Sequence, residues 1–413
     1  MKKTIYLDST KSMFFMLLMC ATILLGASAC SNEEFGVETP KVKKEWTKQE
    51  LIEQALSRAA EINPIPVPAM MITIKDTVSI KCNANEEMTI HWGGEGINGE
   101  ITTTISPNSN VVYTHIYTDN LPSHFIYIEG SMDAYLDLNV DNNRLILLKV
   151  NASHVTSLYC QNNHLDSLDL TGARGLRRLF ANNNALSLLD VSSSYIITDL
   201  RASHNRLKEI KLPKNTMEFY TLMLADNRIK EIDLTTNITI KTLELDDNLI
   251  TDLDLSKNPY LVHIHLNNLP LKTFNGTPVG AGDFSMYKGL SHVYVANIPF
   301  TSLDLSQNPS VIKIDISETP ITTLDIKHLK KIAYLFASYS ELTDLNYEKT
   351  NLNNLSKLYI ERTPLEKDQN KILKLISALP VRENIYSGIL CTYSEDLFYI
   401  NNGMLGKNWI INP

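Results

Sequence analysis

The stretch Leu176-Arg177-Arg178-Leu179-Phe180-Ala181-Asn182-Asn183-Asn184-Ala185-Leu186 sets the reading of the whole chain. Its grammar is an apolar residue, two free positions, an anchoring Leu, one free position, an apolar residue, two free positions, Asn, one free position and an apolar residue. The block before it, Val155 to Leu165 with its anchor at Leu158, obeys the same rule. The anchors then recur at Leu200, Leu222, Leu243, Ile264, Val293, Ile314, Leu335 and Leu358, with a leading copy at Leu138. Successive spacings are 20, 21, 21, 22, 21, 21, 29, 21, 21 and 23 residues. A unit of this length cannot bury its own apolar side, so neighbouring units must stack and share a core.

A period near 21 with this motif marks a leucine-rich-repeat solenoid, an α/β-type superhelix built here of short parallel β-strands and turns. Each unit has a second half, as in Leu165-Asp166-Ser167-Leu168-Asp169-Leu170 and Ile250-Thr251-Asp252-Leu253-Asp254-Leu255. This half-repeat grammar resembles the repeats of internalins and of Bacteroidetes surface lipoproteins. The resemblance covers about 11 units over residues 132–365. It implies a protein that binds a host or neighbour-cell ligand along a concave face.

The anchor and the second residue after it point inward from the strand. Asn143, Asn163, Asn184, Asn205, Asn227 and Asn248 are expected to form a ladder whose side-chain amides satisfy backbone groups in the turns. The next five units carry Leu269, Ile298, Thr319, Ser340 and Thr363 at that place, four of them followed by Pro270, Pro299, Pro320 and Pro364. These later coils are expected to turn differently, with a change of curvature near residue 265.

The positions on either side of the anchor project from the concave sheet. One column reads Asn139, Tyr159, Phe180, Arg201, Met223, Glu244, His265, Tyr294, Asp315, Phe336 and Tyr359. Six of the eleven are aromatic or Met, against 8% aromatic residues in the chain. Such clusters form the energetic centres of interfaces, so the ten residues from Tyr159 to Tyr359 are the candidate ligand-binding set. The competing reading is that these rings stack on one another. The other column includes Arg178, Asp199, His263, His292, Lys313 and Tyr334. His263, His265, His292 and Glu244 could converge on a metal such as Zn²⁺. Asp169, Asp190, Asp233, Asp254, Asp304 and Asp325 form an acidic row on the second flank, read as solvated residues with weak Ca²⁺ binding as the alternative.

Catalysis finds little support. The sequence holds no Gly-x-Ser-x-Gly, His-Glu-x-x-His, P-loop or Gly-x-Gly-x-x-Gly motif. Glu244 and Asp315 lie three strands apart, about 14 Å, beyond the roughly 5–9.5 Å of paired glycosidase carboxylates. Glu244 and Asp246 come within about 7 Å on an open sheet, where no pocket tunes them. No enzyme activity and no cofactor are expected.

Outside the repeats, Lys2, Lys3 and Lys11 precede an apolar run at 13–25, followed by Gly26, Ala27, Ser28, Ala29 and Cys30. Thirteen residues are too few to span a bilayer, and the pattern reads as a signal peptide over 1–29. The ending resembles a bacterial lipobox, with Ala27 where Leu is usual, which implies lipidation of Cys30. An ordinary signal-peptidase site is the alternative. Ser31-Asn32-Glu33-Glu34 resembles the acidic export tail of Bacteroidetes lipoproteins. Removal of 1–29 takes away three Lys and Asp8, so the net charge moves from −8 to −10. That balance disfavours nucleic acid and makes the lipid the membrane attachment. The implied location is the outer membrane, facing outward from the cell, as a monomer. The partner is a protein or peptide of host or envelope origin, or alternatively a glycan; a structural spacer without a ligand is the third reading.

Residues 30–63 comprise the lipidated Cys, a polar tether and a helix. The helix opens on the capping box Thr47-Lys48-Gln49-Glu50 and carries an apolar stripe of Leu51, Ile52, Ala55, Leu56, Ala59 and Ile62. Pro64, Pro66 and Pro68 end it. Over 64–131, short β-branched runs alternate with turns, as in a small antiparallel sandwich. His91-Trp92-Gly93-Gly94-Glu95-Gly96 and His115-Ile116-Tyr117 resemble the signature of PKD-like domains, with Gly94-Glu95 in place of the usual Asp. Trp92 is expected in the core, a sugar-stacking Trp being the alternative, and Gly93 and Gly94 in a turn. Residues 366–413 form the C-terminal cap, with a helix at 368–378 and Trp409 as a covering residue. Cys82, Cys160 and Cys391 are odd in number and are expected as buried thiols.

Overall fold

The computed structural model describes residues 45–59, 68–93, 101–119, 121–131, 134–150, 153–381, 388–392 and 409–412. The signal peptide, Cys30, most of the tether, Pro64, Pro66 and Gly94 lie outside them, as do the side chains of Ala59 and Cys391. No helix among these residues is long and apolar enough to cross a membrane.

The chain is a leucine-rich-repeat solenoid whose motif strands form one parallel ladder. Strands Leu136–Asn139, Val155–Tyr159, Arg178–Phe180, Asp199–Arg201 and Thr221–Met223 pair in sequence order. Thr242–Glu244, His263–His265, His292–Tyr294, Lys313–Asp315, Tyr334–Phe336 and Lys357–Tyr359 continue the same register. All eleven anchors, and the apolar residues two positions after them, have no exposed surface. Each fully buried Leu contributes about 1.5–3 kcal/mol, so a coil is held by its neighbours through this stack.

The Asn ladder forms as expected from Asn163 to Asn248, whereas Asn143 donates its amide to the Ser79 carbonyl at 2.7 Å and accepts the Ser79 N–H. The amides of Asn163, Asn184, Asn205, Asn227 and Asn248 donate to the carbonyls three residues earlier, at 3.0–3.1 Å. Each oxygen accepts a backbone N–H of the preceding coil, as Asn227 does from Leu207 at 2.9 Å. In the later coils Thr319, Ser340 and Thr363 donate their hydroxyls to the same carbonyl position, that of Ile316, Ala337 and Ile360. These coils do turn differently in their hydrogen bonding, as expected: the Ser340 and Thr363 N–H groups donate to the carbonyls of Ala337 and Ile360, three residues back, at 3.2 and 3.3 Å, whereas Asn205 and Asn227 donate theirs to Asp226 and Asp247 of the next coil. One left-handed residue stands four positions after every anchor, from Asn142 and Asn162 through Asn297 to Glu318, Tyr339 and Arg362, with φ between 53° and 60°. The left-handed step is retained, while the hydrogen bonding and the filling of the turn change.

The 29-residue unit keeps the ladder intact, because His263 still pairs with His292 and His265 with Tyr294. Its extra residues form a hairpin on the second flank, Thr273–Phe274 against Thr277–Pro278. Phe274, Phe284 and Phe300 fill the space beneath, with ring centroids 5.4–6.0 Å apart.

At the N-terminal end a five-stranded antiparallel sheet runs Thr102–Ile105, Met88–His91, His124–Gly130, Ala69–Thr73, Leu145–Val150. Facing it, Val111–Ile116 pairs with Thr77–Ala84, which pairs antiparallel with the first motif strand through Cys82 and Leu138. One apolar core therefore runs from the sandwich into the solenoid, and the sandwich closes that end of the stack. Trp92 is in this core, its indole N–H on Thr103 at 2.9 Å, with His115 stacked at 5.3 Å. Gly93 is required at its place: φ is +57° and a Cβ would stand 2.0 Å from the Phe125 carbonyl oxygen. The helix Lys48–Ala59 forms with its capping box, Glu50 accepting the Thr47 N–H at 2.8 Å. It packs Leu51, Ile52, Ala55 and Leu56 on Ile72 and Ile146.

At the other end, Asp368 caps the helix Gln369–Ala378. The ladder gains two parallel strands beyond the motif, Gly388–Cys391 and Trp409–Asn412. Trp409 is buried against Gly388 and donates to the Pro380 carbonyl at 2.9 Å, consistent with a covering role.

Candidate functional site: the parallel ladder

The parallel register places Asn139, Tyr159, Phe180, Arg201, Met223, Glu244, His265, Tyr294, Asp315, Phe336 and Tyr359 in a single row across eleven strands. All eleven are half-buried. The competing reading of the aromatics holds in part, since they stack. Tyr159 meets Phe180 edge-on at 4.9 Å, His265 lies on Tyr294 at 4.0 Å, and Phe336 on Tyr359 at 4.8 Å.

Cations lie over Phe180, Tyr294, Tyr334 and Phe336. The Arg201 guanidinium sits 4.4 Å from the Phe180 centroid and makes two 3.0 Å hydrogen bonds to Asp199. The Asp199 carboxylate holds the Arg201 pKa above its ordinary value. The Lys313 ammonium stands 4.7 Å from the Tyr294 ring and 5.1 Å from Phe336, with Tyr334 at 5.9 Å. Lys357 lies 6.0 Å from Tyr334. Sequence reasoning placed Lys313 and Tyr334 beside the site and overlooked Lys357, although all three occupy the column before the anchor.

The metal quartet of His263, His265, His292 and Glu244 does not assemble. His263 and His292 are adjacent, edge to face at 4.6 Å, but His265 turns to Tyr294 and lies 3.6 Å from Asp246. Among the described residues no group of three or more His, Cys, Asp or Glu side chains is placed to hold a metal ion. Burial, then the neighbouring His265, lowers the His263 pKa; burial, then His263, Lys313 and His265, lowers that of His292.

The second-flank acids have a structural task. Asp169, Asp190, Asp233, Asp254, Asp304 and Asp325 each accept the backbone N–H two residues on, at 2.8–3.0 Å. These are Asx turns, which explains the recurrence without an ion. Beside them lies a second Asn ladder that the sequence reading missed. Asn237, Asn258 and Asn308 are buried and donate to carbonyls of neighbouring coils at 2.7–3.1 Å. Its signal was the recurrent Asn four residues after Asp233, Asp254 and Asp304.

Neither protein-family models nor curated proteins match this sequence. Among solved structures, the functional domain of InlJ from Listeria monocytogenes is similar at 24% identity and a TM-score of 0.47. The match covers 52% of this chain and 46% of that one, so the chain spans under half of that domain's length. YopM from Yersinia enterocolitica matches at 18% identity and a TM-score of 0.37, over 55% of this chain and 60% of that one. A leucine-rich-repeat protein of Leptospira interrogans matches at 18% and 0.33, over 59% and 83%.

Proposed function

We propose that this chain is a lipid-anchored, surface-displayed recognition protein that binds a polypeptide partner along its concave ladder. The observation carrying this reading is the unbroken row of half-buried aromatic, Met and charged side chains from Tyr159 to Tyr359. Such a row offers side chains at about 4.8 Å intervals, with apolar anchors set among charged ones on a rigid backing, as hot-spot recognition requires.

A polypeptide is favoured over a sugar by what lies on the rings. Saccharide stacking needs open aromatic faces, and Phe180, Tyr294 and Phe336 have theirs occupied by Arg201, Lys313 and neighbouring rings. A non-enzymatic role accords with the carboxylates. Asp246 is engaged by His265 and by the Asn267 N–H, and Glu244 stands on an open sheet where water competes for it. The anchor is Cys30, whose acyl chains would add about 0.8 kcal/mol of membrane affinity per buried CH₂ and hold an acidic protein at the outer membrane.

A photo-reactive phenylalanine analogue at Met223 should cross-link a protein when the chain is displayed on cells, and the same analogue at Lys257, on the second flank, should not. Equal cross-linking at both positions, or glycan-array binding that soluble saccharide competes away, would overturn the reading. Replacement of Cys30 by Ser should abolish labelling by a radioactive fatty acid and release the protein from the membrane fraction.

A further inference from the structure

The cations that lie over rings are held differently in the two halves of the ladder face. In the N-terminal half, Arg201 is neutralised within its own strand by the bidentate contact with Asp199. In the C-terminal half, Lys313 and Lys357 lie against rings, and among the described residues no carboxylate is within ion-pair distance of either. The column before the anchor reads His263, His292, Lys313, Tyr334, Lys357 across five paired strands, with no acid in it. The nearby carboxylates turn to other partners without pairing with either ammonium: Asp315 accepts the Ser317 N–H at 3.0 Å, Glu361 accepts the Ser338 hydroxyl, and Asp246 faces His265.

We propose that this C-terminal half, centred on Lys313 and Lys357, is a subsite for an acidic, extended segment of the bound polypeptide. The inference rests on the protein-binding reading above and specifies the chemistry of the partner. An ammonium held over aromatic faces retains its charge while losing part of its hydration, so a carboxylate meets it at low desolvation cost. Lys313 and Lys357 are two strands apart, about 10 Å, a span that three to four residues of extended chain cover. Tyr294, Phe336 and Tyr359 flank them and supply apolar contact for the residues between the acids. His263 and His292 extend the same column away from Lys313, toward Thr242.

The test uses a fluorescein-labelled decapeptide of alternating Glu and Ser, a Lys-Ser decapeptide as the charge-reversed control, and hexagalacturonate as an acidic saccharide. Anisotropy titration of the wild-type chain should show salt-sensitive binding of the Glu peptide and none of the Lys peptide. The double variant Lys313→Gln/Lys357→Gln should bind at least fivefold more weakly, Lys313→Arg/Lys357→Arg should recover most of the affinity, and Lys257→Gln should bind as wild type. Circular dichroism melting of each variant separates lost binding from lost folding. An absence of Glu-peptide binding, insensitivity to the double variant, or tighter binding of hexagalacturonate with the same Lys dependence would overturn the subsite. If cross-linking at Met223 persists in that case, the protein-binding reading stands without it; if it is lost as well, both fall.

Discussion

The side-chain amide of Asn248 donates to the carbonyl of Leu224, one coil back, at 2.9 Å. The same nitrogen reaches Leu245 in its own coil at 3.0 Å, and the oxygen accepts the Ile229 N–H at 3.0 Å. One buried side chain thus joins two coils; without it the Leu245 carbonyl and the Ile229 N–H lose these partners in a dry interior, while the Leu224 carbonyl keeps the Asn227 amide at 3.0 Å.

Replacing Asn248 by Ala should therefore destabilise the protein by about 2–4 kcal/mol, because each buried group left unpaired costs about 1–3 kcal/mol. Asn248→Thr should recover about 1 kcal/mol of this, since the hydroxyls of Thr319, Ser340 and Thr363 already make the equivalent within-coil bond. Urea unfolding followed by circular dichroism gives the ranking. Equal losses for Ala and Thr would show that the bond to the preceding coil carries the whole effect.

The left-handed step after each motif strand makes a second prediction. Asn and Asp tolerate that conformation, but Glu318 occupies it at φ 59° with its side chain exposed. Substituting Glu318 by Gly removes the Cβ penalty and should stabilise the fold by about 1 kcal/mol, with Asn giving a smaller gain in the same direction. A lower unfolding midpoint for Glu318→Gly would mean that the carboxylate does something its exposure does not suggest.

These two features also show what the sequence could disclose. The anchors and the Asn ladder were legible because each coil repeats one local rule, and the parallel register then follows from stacking alone. The left-handed step was hinted at by Asn142, Asn162 and Asn183, but not by Tyr339 or Arg362, which accept strain that the surrounding ladder imposes. The pairing of Cys82 with Leu138, which joins the sandwich to the solenoid, is long-range and leaves no local mark. In the site, the rows were readable and the rotamers were not. His265 leaves the other imidazoles because Asp246 and Tyr294 flank it, and neither the two-residue spacing nor the charge pattern encodes that choice.

The two described thiols should be inert in the native protein. Burial pushes the Cys82 thiol up to about 12 and raises that of Cys160 further, so neither forms appreciable thiolate at pH 8. Iodoacetamide labelling with peptide mapping should leave both unmodified in the folded chain and label both in 6 M guanidinium. Native-state labelling of Cys160 would mean that the second coil opens locally.

Acidification should weaken the fold in a window set by three histidines. His115, His263 and His292 all have lowered pKa values, in each case first through burial; Asp119 partly opposes it for His115, whereas His265 adds to it for His263 and His292. A depressed histidine means that the native state binds fewer protons than the unfolded chain. Their contribution is fully present above the unfolded value of about 6.5 and is lost as the pH falls through the lower native values. The carboxylates with lowered pKa, Asp190, Asp233 and Asp304 among them, lose theirs only when the pH falls below their ordinary value of 3.8. Thermal midpoints measured at pH 7.5, 6.5, 5.5 and 5.0 should accordingly fall, and His263→Gln/His292→Gln should flatten the decline. A midpoint that rises on acidification, or a decline that the double variant leaves untouched, would place the titrating groups elsewhere in the molecule.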